Sequence, residues 1–304
     1  EWALSKQASI LASANPDGAI EFIDEADLDL ADPRASEVLA VYTETLSRLG
    51  RHAEALEHSR AALARNDRYP PFYEIHAKAL EAAGGDDDEI QRALERAVEI
   101  APRWPSALSA LGDRAAQAGD IDEALRLYDR ANAAAPQEPE SAWSAIQRLA
   151  SRAEGGPIEE MTQGDVQGKT NADIDLRLER LLSRHGTHAD AAVLLARRLT
   201  VQGVNLERAR SLAQRAVVFG GGAEAASTLG WIHLERGDPE AAIAPLRRSL
   251  RMVPDSPTTQ FHLGRALAQT GDQDGARAQL NAALASGGFP EESEARAELA
   301  RLGS

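Results

Sequence analysis

A repeat of about 34 residues is the feature of this sequence that most restricts its fold. Glycines mark the period in both halves of the chain, at spacings of 34 or 35: Gly50, Gly85 and Gly119, then Gly203, Gly237 and Gly271. In the best copies a Leu-Gly pair comes first and a Gly-Asp pair follows it. Small or apolar residues then recur at regular intervals after the Gly-Asp pair. This self-similarity predicts a stack of similar units instead of the two ordinary domains that 304 residues would suggest.

Residues 105–138 show why the repeated text predicts a helical hairpin. Leu108 and Leu111 recur at helical spacing and give a first helix an apolar stripe. Gly119 is expected to end this helix in the left-handed conformation, and Asp120 is expected to cap the second helix. The second helix carries its own stripe and terminator: Leu125, Tyr128, Ala131 and Pro136. One hairpin cannot bury both stripes, whereas stacked copies can.

This pattern resembles the tetratricopeptide repeat (TPR) family. The match is closest at residues 105–138 and 223–290, where Gly112, Gly230 and Gly264 are small at a point of close helix approach. The resemblance implies an all-α, right-handed superhelical solenoid of about eight hairpins with a C-terminal capping helix at 291–302. The expected units are 1–35, 36–70, 71–104, 105–138, 139–188, 189–222, 223–256 and 257–290.

The fifth unit departs from the pattern. Gly155-Gly156-Pro157 interrupts its first helix, and polar residues with two more glycines extend from there to Asn171. A second helix is expected to begin near Ala172. Because so long a loop is unusual inside a compact array, we expect three segments: an acidic N-terminal array at 1–153, a flexible connector at 154–171, and a C-terminal array with its capping helix at 172–304.

Composition narrows the classes of partner. The 59 alanines favour closely packed helices, and the absence of cysteine excludes disulfides, zinc–thiolate sites and cysteine nucleophiles. The net charge of −15 argues against a nucleic-acid partner. Residues 1–152 carry 16 basic and 28 acidic residues, a net of −12, which indicates solvated helix faces or a surface for a basic partner. No apolar run approaches 18 residues, so no membrane span is expected.

Motifs that would carry catalysis or bind a cofactor are incomplete in this sequence. The run from Gly164 to Thr170 ends like a phosphate-binding P-loop, but three residues separate its glycines where that loop needs four. His185, His188 and Asp190 are close enough in sequence to suggest a metal site, yet roles at helix ends explain both histidines. No nucleophile elbow or HExxH run is present. The sequence therefore predicts no enzyme activity, no cofactor and no bound metal.

The resemblance implies that the first helices line a concave groove, where TPR proteins usually bind peptides. The residue just after the Leu-Gly pair then faces this groove, and aromatic residues early in the first helices share the same face. Seven residues form the predicted partner-binding groove: Phe72, Asp113, Trp143, Arg197, Trp231, Phe261 and Arg265. Aromatic and arginine side chains are common interface anchors. The alternative for the aromatics is packing between repeats, and for the arginines a solvated or intramolecular ion pair.

We therefore expect a non-enzymatic scaffold that binds a protein or an extended peptide. The lysine and asparagine set with which some TPR proteins clamp a chaperone's C-terminal carboxylate is missing here. The segment 286–299 is similar to the C-termini of bacterial TPR proteins of exopolysaccharide secretion or envelope assembly, which favours the periplasm over the cytoplasm. Two alternatives stay open: a regulatory or targeting array of a larger enzyme or export protein, which the missing initial methionine allows, and a self-assembling, homo-oligomeric structural protein.

Overall fold

Helices connected by short turns make up almost all of the protein. The structure, a computed structural model, describes residues 2–155 and 164–303. Within these ranges there are seventeen α-helices, one 3-10 turn at Pro33–Ala35 and no strand. The protein is thus an all-α repeat solenoid. No helix in the described ranges is long and apolar enough to cross a membrane.

The chain divides into two compact units, Glu1–Arg152 and Ala153–Ser304. The first unit contains four helical hairpins and most of a ninth helix: α1 (Trp2–Ala14), α2 (Pro16–Glu25), α3 (Ser36–Arg48), α4 (His52–Arg65), α5 (Pro70–Ala82), α6 (Asp87–Ile100), α7 (Pro105–Gln117), α8 (Ile121–Ala134) and α9 (Glu140–Gly155). The second unit contains a long helix, three hairpins and a terminal helix: α10 (Gly164–Arg184), α11 (Ala189–Val201), α12 (Leu206–Val218), α13 (Gly222–Glu235), α14 (Pro239–Met252), α15 (Pro257–Gln269), α16 (Gln273–Ser286) and α17 (Glu292–Leu302). Seven of the eight predicted pairs lie within one unit, and the expected capping helix is α17.

The turn chemistry predicted for the repeats is confirmed. Gly119 comes after α7 with φ +84°, a conformation that costs glycine little. The Asp120 side chain then accepts a hydrogen bond from the Glu123 backbone N–H at 3.0 Å and caps α8. In the third repeat the left-handed glycine is Gly84, not Gly85.

Two connections differ from the simple period. The sixth repeat has one extra residue, and Asn205 accommodates it with φ +48° while its side chain caps α12. The predicted connector covers 154–171, of which residues 156–163 lie outside the described residues. The expectation that its last residues are non-helical is wrong, because α10 begins at Gly164 instead of near Ala172. Glycine weakens a helix by about 1 kcal/mol per residue but does not forbid one.

Close helix approach at glycine holds the hairpins together. A Cβ built on Gly264 of α15 would lie 2.8 Å from Cγ of Leu280 on α16, and Leu280 is completely buried. A Cβ on Gly112 of α7 would lie equally close to the Tyr128 ring on α8. Leucines and alanines from consecutive helices then form core clusters within each unit, as around Leu246, Leu263 and Leu267 in the second unit.

A neutral histidine is buried between α13 and α15. His262 is 4% exposed, and its ring lies parallel to that of Trp231, with 5.7 Å between centroids. Burial lowers the pKa of His262 to about 3, and the nearby charges of Arg265 and Arg197 act in the same direction. Its Nδ1 has no hydrogen-bond partner among the described residues.

The first prediction concerns the glycine contact. Gly264→Ala should lower the free energy of unfolding by about 1–3 kcal/mol, because the added methyl meets a buried leucine that cannot move aside. Urea unfolding monitored by circular dichroism measures this. Gly186→Ala is the matched control, since its Cβ would come no closer than 3.7 Å to any neighbour. The loss should shrink when Gly264→Ala is made in a Leu280→Ala background, and an unchanged loss there would contradict the steric explanation.

The second prediction concerns pH. The pKa of His262 is about 3 in the folded state and about 6.5 when unfolded, so in this window the unfolded chain binds more protons. The stability that His262 contributes is therefore complete above pH 6.5 and declines as the pH falls toward 3, by about 2 kcal/mol at pH 5.

Urea unfolding at pH 7, 6 and 5 should show this decline in the unmodified chain and a smaller one in His262→Gln. Burial also lowers the pKa of His76 and His233. Because both residues are present in the two proteins compared, their effect on the pH dependence is common to both. Equal pH slopes for the two proteins would show that His262 titrates normally.

Candidate functional site

The first helices of three consecutive hairpins in the second unit enclose a groove. It lies along α11, α13 and α15 and has a volume of about 510 Å³. We call it the unit 2 groove. Its lining combines an indole, an imidazole and a hydroxyl group with three charged side chains: Trp231, His262, Thr259, Arg197, Glu224 and Glu291.

Trp231 is fixed from two sides at the centre of this groove. It comes directly after Gly230, the glycine against which Leu246 of α14 packs, so its indole turns away from the hairpin interior. One ring face lies parallel to His262, with an interplanar angle of 3°. The indole Nε1–H donates to Glu235 Oε1 at 3.2 Å. Trp231 is therefore half-buried and held in one orientation.

Arg265 lies next to the groove and shares the carboxylate that holds Trp231. Its Nη1 is 3.3 Å from Glu235 Oε1, and its guanidinium carbon is 5.6 Å from the centre of the Phe261 ring. Glu235 thus links the groove positions of α13 and α15. This bridge organises the surface before any partner arrives.

The rest of the groove combines charged and hydroxyl side chains with exposed valines. Arg197 pairs with Glu224 at 2.8 Å, with both side chains more than half exposed. A chain of hydroxyl groups crosses the floor, since Thr259 Oγ1 is 2.8 Å from both Ser227 Oγ and Ser256 Oγ. Glu291 Oε2 and His262 Nδ1 are buried without hydrogen-bond partners among the described residues. Such a surface can hydrogen-bond to a polypeptide backbone or to polar side chains.

The structure brings together three of the seven predicted groove residues. Arg197 and Trp231 line the unit 2 groove, and Arg265 lies beside it. Phe261 and Phe72 were expected to face the groove, but they do not, because they are 1% and 0% exposed. Each ring fills space inside its array: Phe261 packs with Leu280 and Phe289, and Phe72 with Leu39 and Ile75. They support the surface and do not form it.

Asp113 and Trp143 belong to the first unit. Asp113 accepts a hydrogen bond from the Tyr128 hydroxyl at 2.6 Å and lies 3.8 Å from Arg148 Nη2. Burial, with this hydrogen bond, raises the pKa of Tyr128 to about 12. Asp113 lines a separate cavity of about 470 Å³. Trp143 is half-buried on α9.

Several groove residues were not anticipated from the sequence. His262 and Glu291 lie at positions that the Leu-Gly rule does not select, and no sequence signal identifies them. Glu235 could have been identified from the sequence, because it lies one helical turn after Trp231. This spacing places it between the groove positions of two repeats. Glu44 and Lys78 occupy the same repeat position as Asp113: Lys78 comes 34 residues after Glu44, and Asp113 comes 35 residues after Lys78.

The structure places the two motifs that resembled cofactor sites in or next to helices. His188 caps α11, its Nδ1 accepting the Ala191 backbone N–H at 3.3 Å, as its predicted position at a helix start requires. The glycine-lysine-threonine run, 164–170, lies within α10. Among the described residues no group of three histidine, aspartate or glutamate side chains is placed to hold a metal ion.

Comparisons with known proteins agree with the architecture. Tetratricopeptide-repeat family models match residues 227–291, and residues 36–61 and 105–130. A search of curated protein sequences gave no match. Among solved structures, the MamA protein is 21% identical at a TM-score of 0.48, over 63% of this chain and 94% of that one.

Two further structures superimpose over most of the chain. The Cut9–Hcn1 hetero-tetramer of APC/C has a TM-score of 0.54 at 14% identity, over 98% of this chain and 55% of that one. The C-terminal part of a TPR protein from Cytophaga hutchinsonii has a TM-score of 0.54 at 15% identity, over 85% and 99%. These likenesses concern the fold. The family matches, together with the repeat geometry, identify the chain as a tetratricopeptide-repeat protein.

Proposed function

We propose that this protein is a non-enzymatic scaffold that binds a protein or an extended peptide in the unit 2 groove. TPR arrays mediate contacts between proteins, and this groove is lined mainly by residues of three first helices. The observation that carries the proposal is the fixed, half-buried indole of Trp231 in a groove that also presents charged and hydroxyl side chains. Aromatic anchors surrounded by hydrogen-bonding groups are typical of energetically important interface positions.

Preorganisation supports this mode of binding. Trp231 is held by His262 and Glu235, and Arg265 is held by Glu235 and Phe261. Ordering a long side chain on binding costs about 0.5–1.5 kcal/mol. Since these side chains are already ordered, a partner loses little of its binding energy to their immobilisation.

A narrower assignment, to bacterial envelope or exopolysaccharide-secretion assembly, is part of the proposal. It is supported by the sequence of residues 286–299 alone. Fractionation of the native cells into cytoplasm, periplasm and membrane tests it. Recovery of the protein in the cytoplasm would remove this assignment and leave the groove proposal intact.

The third prediction tests Trp231. A partner is first captured from a lysate of the native organism on the immobilised chain, identified by mass spectrometry and purified. Trp231→Ala should weaken binding of that partner by about 2 kcal/mol, roughly 30-fold in Kd. Trp2→Ala is the matched control, since Trp2 is 67% exposed on α1 and outside the groove. Unchanged affinity of a Trp231→Ala protein that keeps its helicity would show that the groove is not the site.

The fourth prediction separates a binding role of Arg197 from a structural one. If Arg197 contacts an anionic or carbonyl group of the partner, Arg197→Gln weakens binding severalfold. Glu224→Gln releases the same guanidinium from its intramolecular pair and preserves or strengthens binding. A merely structural ion pair would give equal losses in the two variants, because each breaks the same 2.8 Å contact. Calorimetric titration with the purified partner measures both.

A further inference from the structure

A second groove lies on the first unit and differs in chemistry from the unit 2 groove. It runs along the line between α3 and α5, two first helices that pack side by side, and Trp104 also lines it. Its volume is about 630 Å³. We call it the unit 1 groove.

The floor of the unit 1 groove is mostly apolar. Ala40 of α3 and Ile75 and Ala79 of α5 contribute to it, and the rings of Tyr69 and Trp104 also line the groove. The hydroxyl groups that share this lining, those of Thr43 and Ser47, donate to backbone carbonyls within α3. The two rings are fixed by hydrogen bonds: Tyr69 Oη is 3.2 Å from Ser36 Oγ, and Trp104 Nε1–H donates to Glu74 at 3.0 Å. An aliphatic side chain therefore finds a preformed apolar seat here.

The edge of this groove along α3 carries negative charge that no basic side chain neutralises. Glu37 and Glu44 are both exposed and line the groove. Within the described residues neither forms an ion pair; Glu37 accepts a hydrogen bond from the Ser5 hydroxyl at 2.9 Å. Lys78, across the groove, does not compensate them, because its ammonium group is held by Glu74 at 2.9 Å.

Glu74 itself is already satisfied. Its carboxylate accepts hydrogen bonds from Trp104, Ser106 and Lys78, and these interactions lower its pKa against the opposing effect of burial. The groove thus combines an apolar floor with two carboxylates that remain available. Its charge is complementary to a cationic partner.

The spacing of the two free carboxylates restricts that partner. Glu37 and Glu44 are seven residues apart, two helical turns, which corresponds to about 10 Å along α3. A chain in the polyproline II conformation rises about 3.1 Å per residue with three residues per turn, so residues three positions apart lie on one face at nearly this distance. Two basic side chains at such positions therefore reach both carboxylates, and one of the two side chains between them is directed toward the floor.

We propose that the unit 1 groove binds an extended segment of another protein that carries the pattern basic-x-x-basic with an apolar residue between the basic ones. This site is separate from the unit 2 groove and does not depend on the function proposed for it. The carboxylates supply charge recognition, and the floor between Tyr69 and Trp104 selects for the apolar residue.

The test uses synthetic peptides with the core arginine-alanine-leucine-arginine between glycines. Two comparison peptides replace both arginines by glutamate or place the arginines next to each other. Binding is monitored through the indole N–H signals of the isotope-labelled full chain, which has four tryptophans. The arginine peptide should shift the Trp104 signal and leave the Trp231 signal unchanged, so this outcome is independent of the unit 2 groove.

Paired variants separate specific contacts from general attraction. Glu37→Gln with Glu44→Gln should weaken the arginine peptide roughly tenfold. Glu21→Gln with Glu57→Gln removes the same charge from exposed positions on α2 and α4, and should change Kd by less than about twofold. Equal weakening by the two pairs, equal binding of the glutamate peptide, or equal binding of the adjacent-arginine peptide would overturn the proposal.

A second copy of this chain is the competing occupant. Sedimentation of the full chain over a range of concentrations decides this. Self-association that disappears in the Glu37→Gln, Glu44→Gln protein would assign the groove to homo-oligomerisation and overturn the proposal. A monomer that retains peptide binding supports it.

Discussion

The close approach of two helices at a residue without a side chain is the constraint on which this structure depends. Gly112, Gly230 and Gly264 each face a large residue of the second helix, and an added Cβ would lie inside contact distance of it. Those large residues, Tyr128, Leu246 and Leu280, are completely buried as a result. The residue after each glycine lies about 100° further around the helix. Packing inside the hairpin therefore determines which side chain is presented on the groove face.

That position recurs from the second repeat to the eighth, and packing does not determine its chemistry. At spacings of 34 or 35 residues within each unit it is occupied by Glu44, Lys78, Asp113 and Arg148, and by Arg197, Trp231 and Arg265. Contacts between repeats then organise these side chains. Glu235 joins Trp231 to Arg265, and Asp113 lies close to Arg148. A rigid periodic backbone thus presents a row of side chains that differ from repeat to repeat.

The sequence was sufficient for the parts of the fold that local physics controls. Helix ends could be predicted from glycine and aspartate, as the φ of Gly119 and the cap of Asp120 show. It was insufficient where a residue's surroundings come from a neighbouring repeat. Phe261 shares a helix face with Arg265, yet contact with Phe289 beyond the end of α16 buries its ring. His262 enters the groove through its stacking on Trp231, a contact between repeats that no local pattern specifies.

The two grooves differ in how their charges are compensated. In the unit 2 groove each arginine already has a carboxylate partner, Glu224 for Arg197 and Glu235 for Arg265. A ligand there gains little from net charge and must compete through shape, stacking and hydrogen bonds. In the unit 1 groove Glu37 and Glu44 are not neutralised, and residues 1–152 carry a net charge of −12. Long-range attraction then accelerates encounter with a cationic segment and weakens as salt is added. The uneven charge of the chain therefore distinguishes two grooves that the backbone alone makes alike.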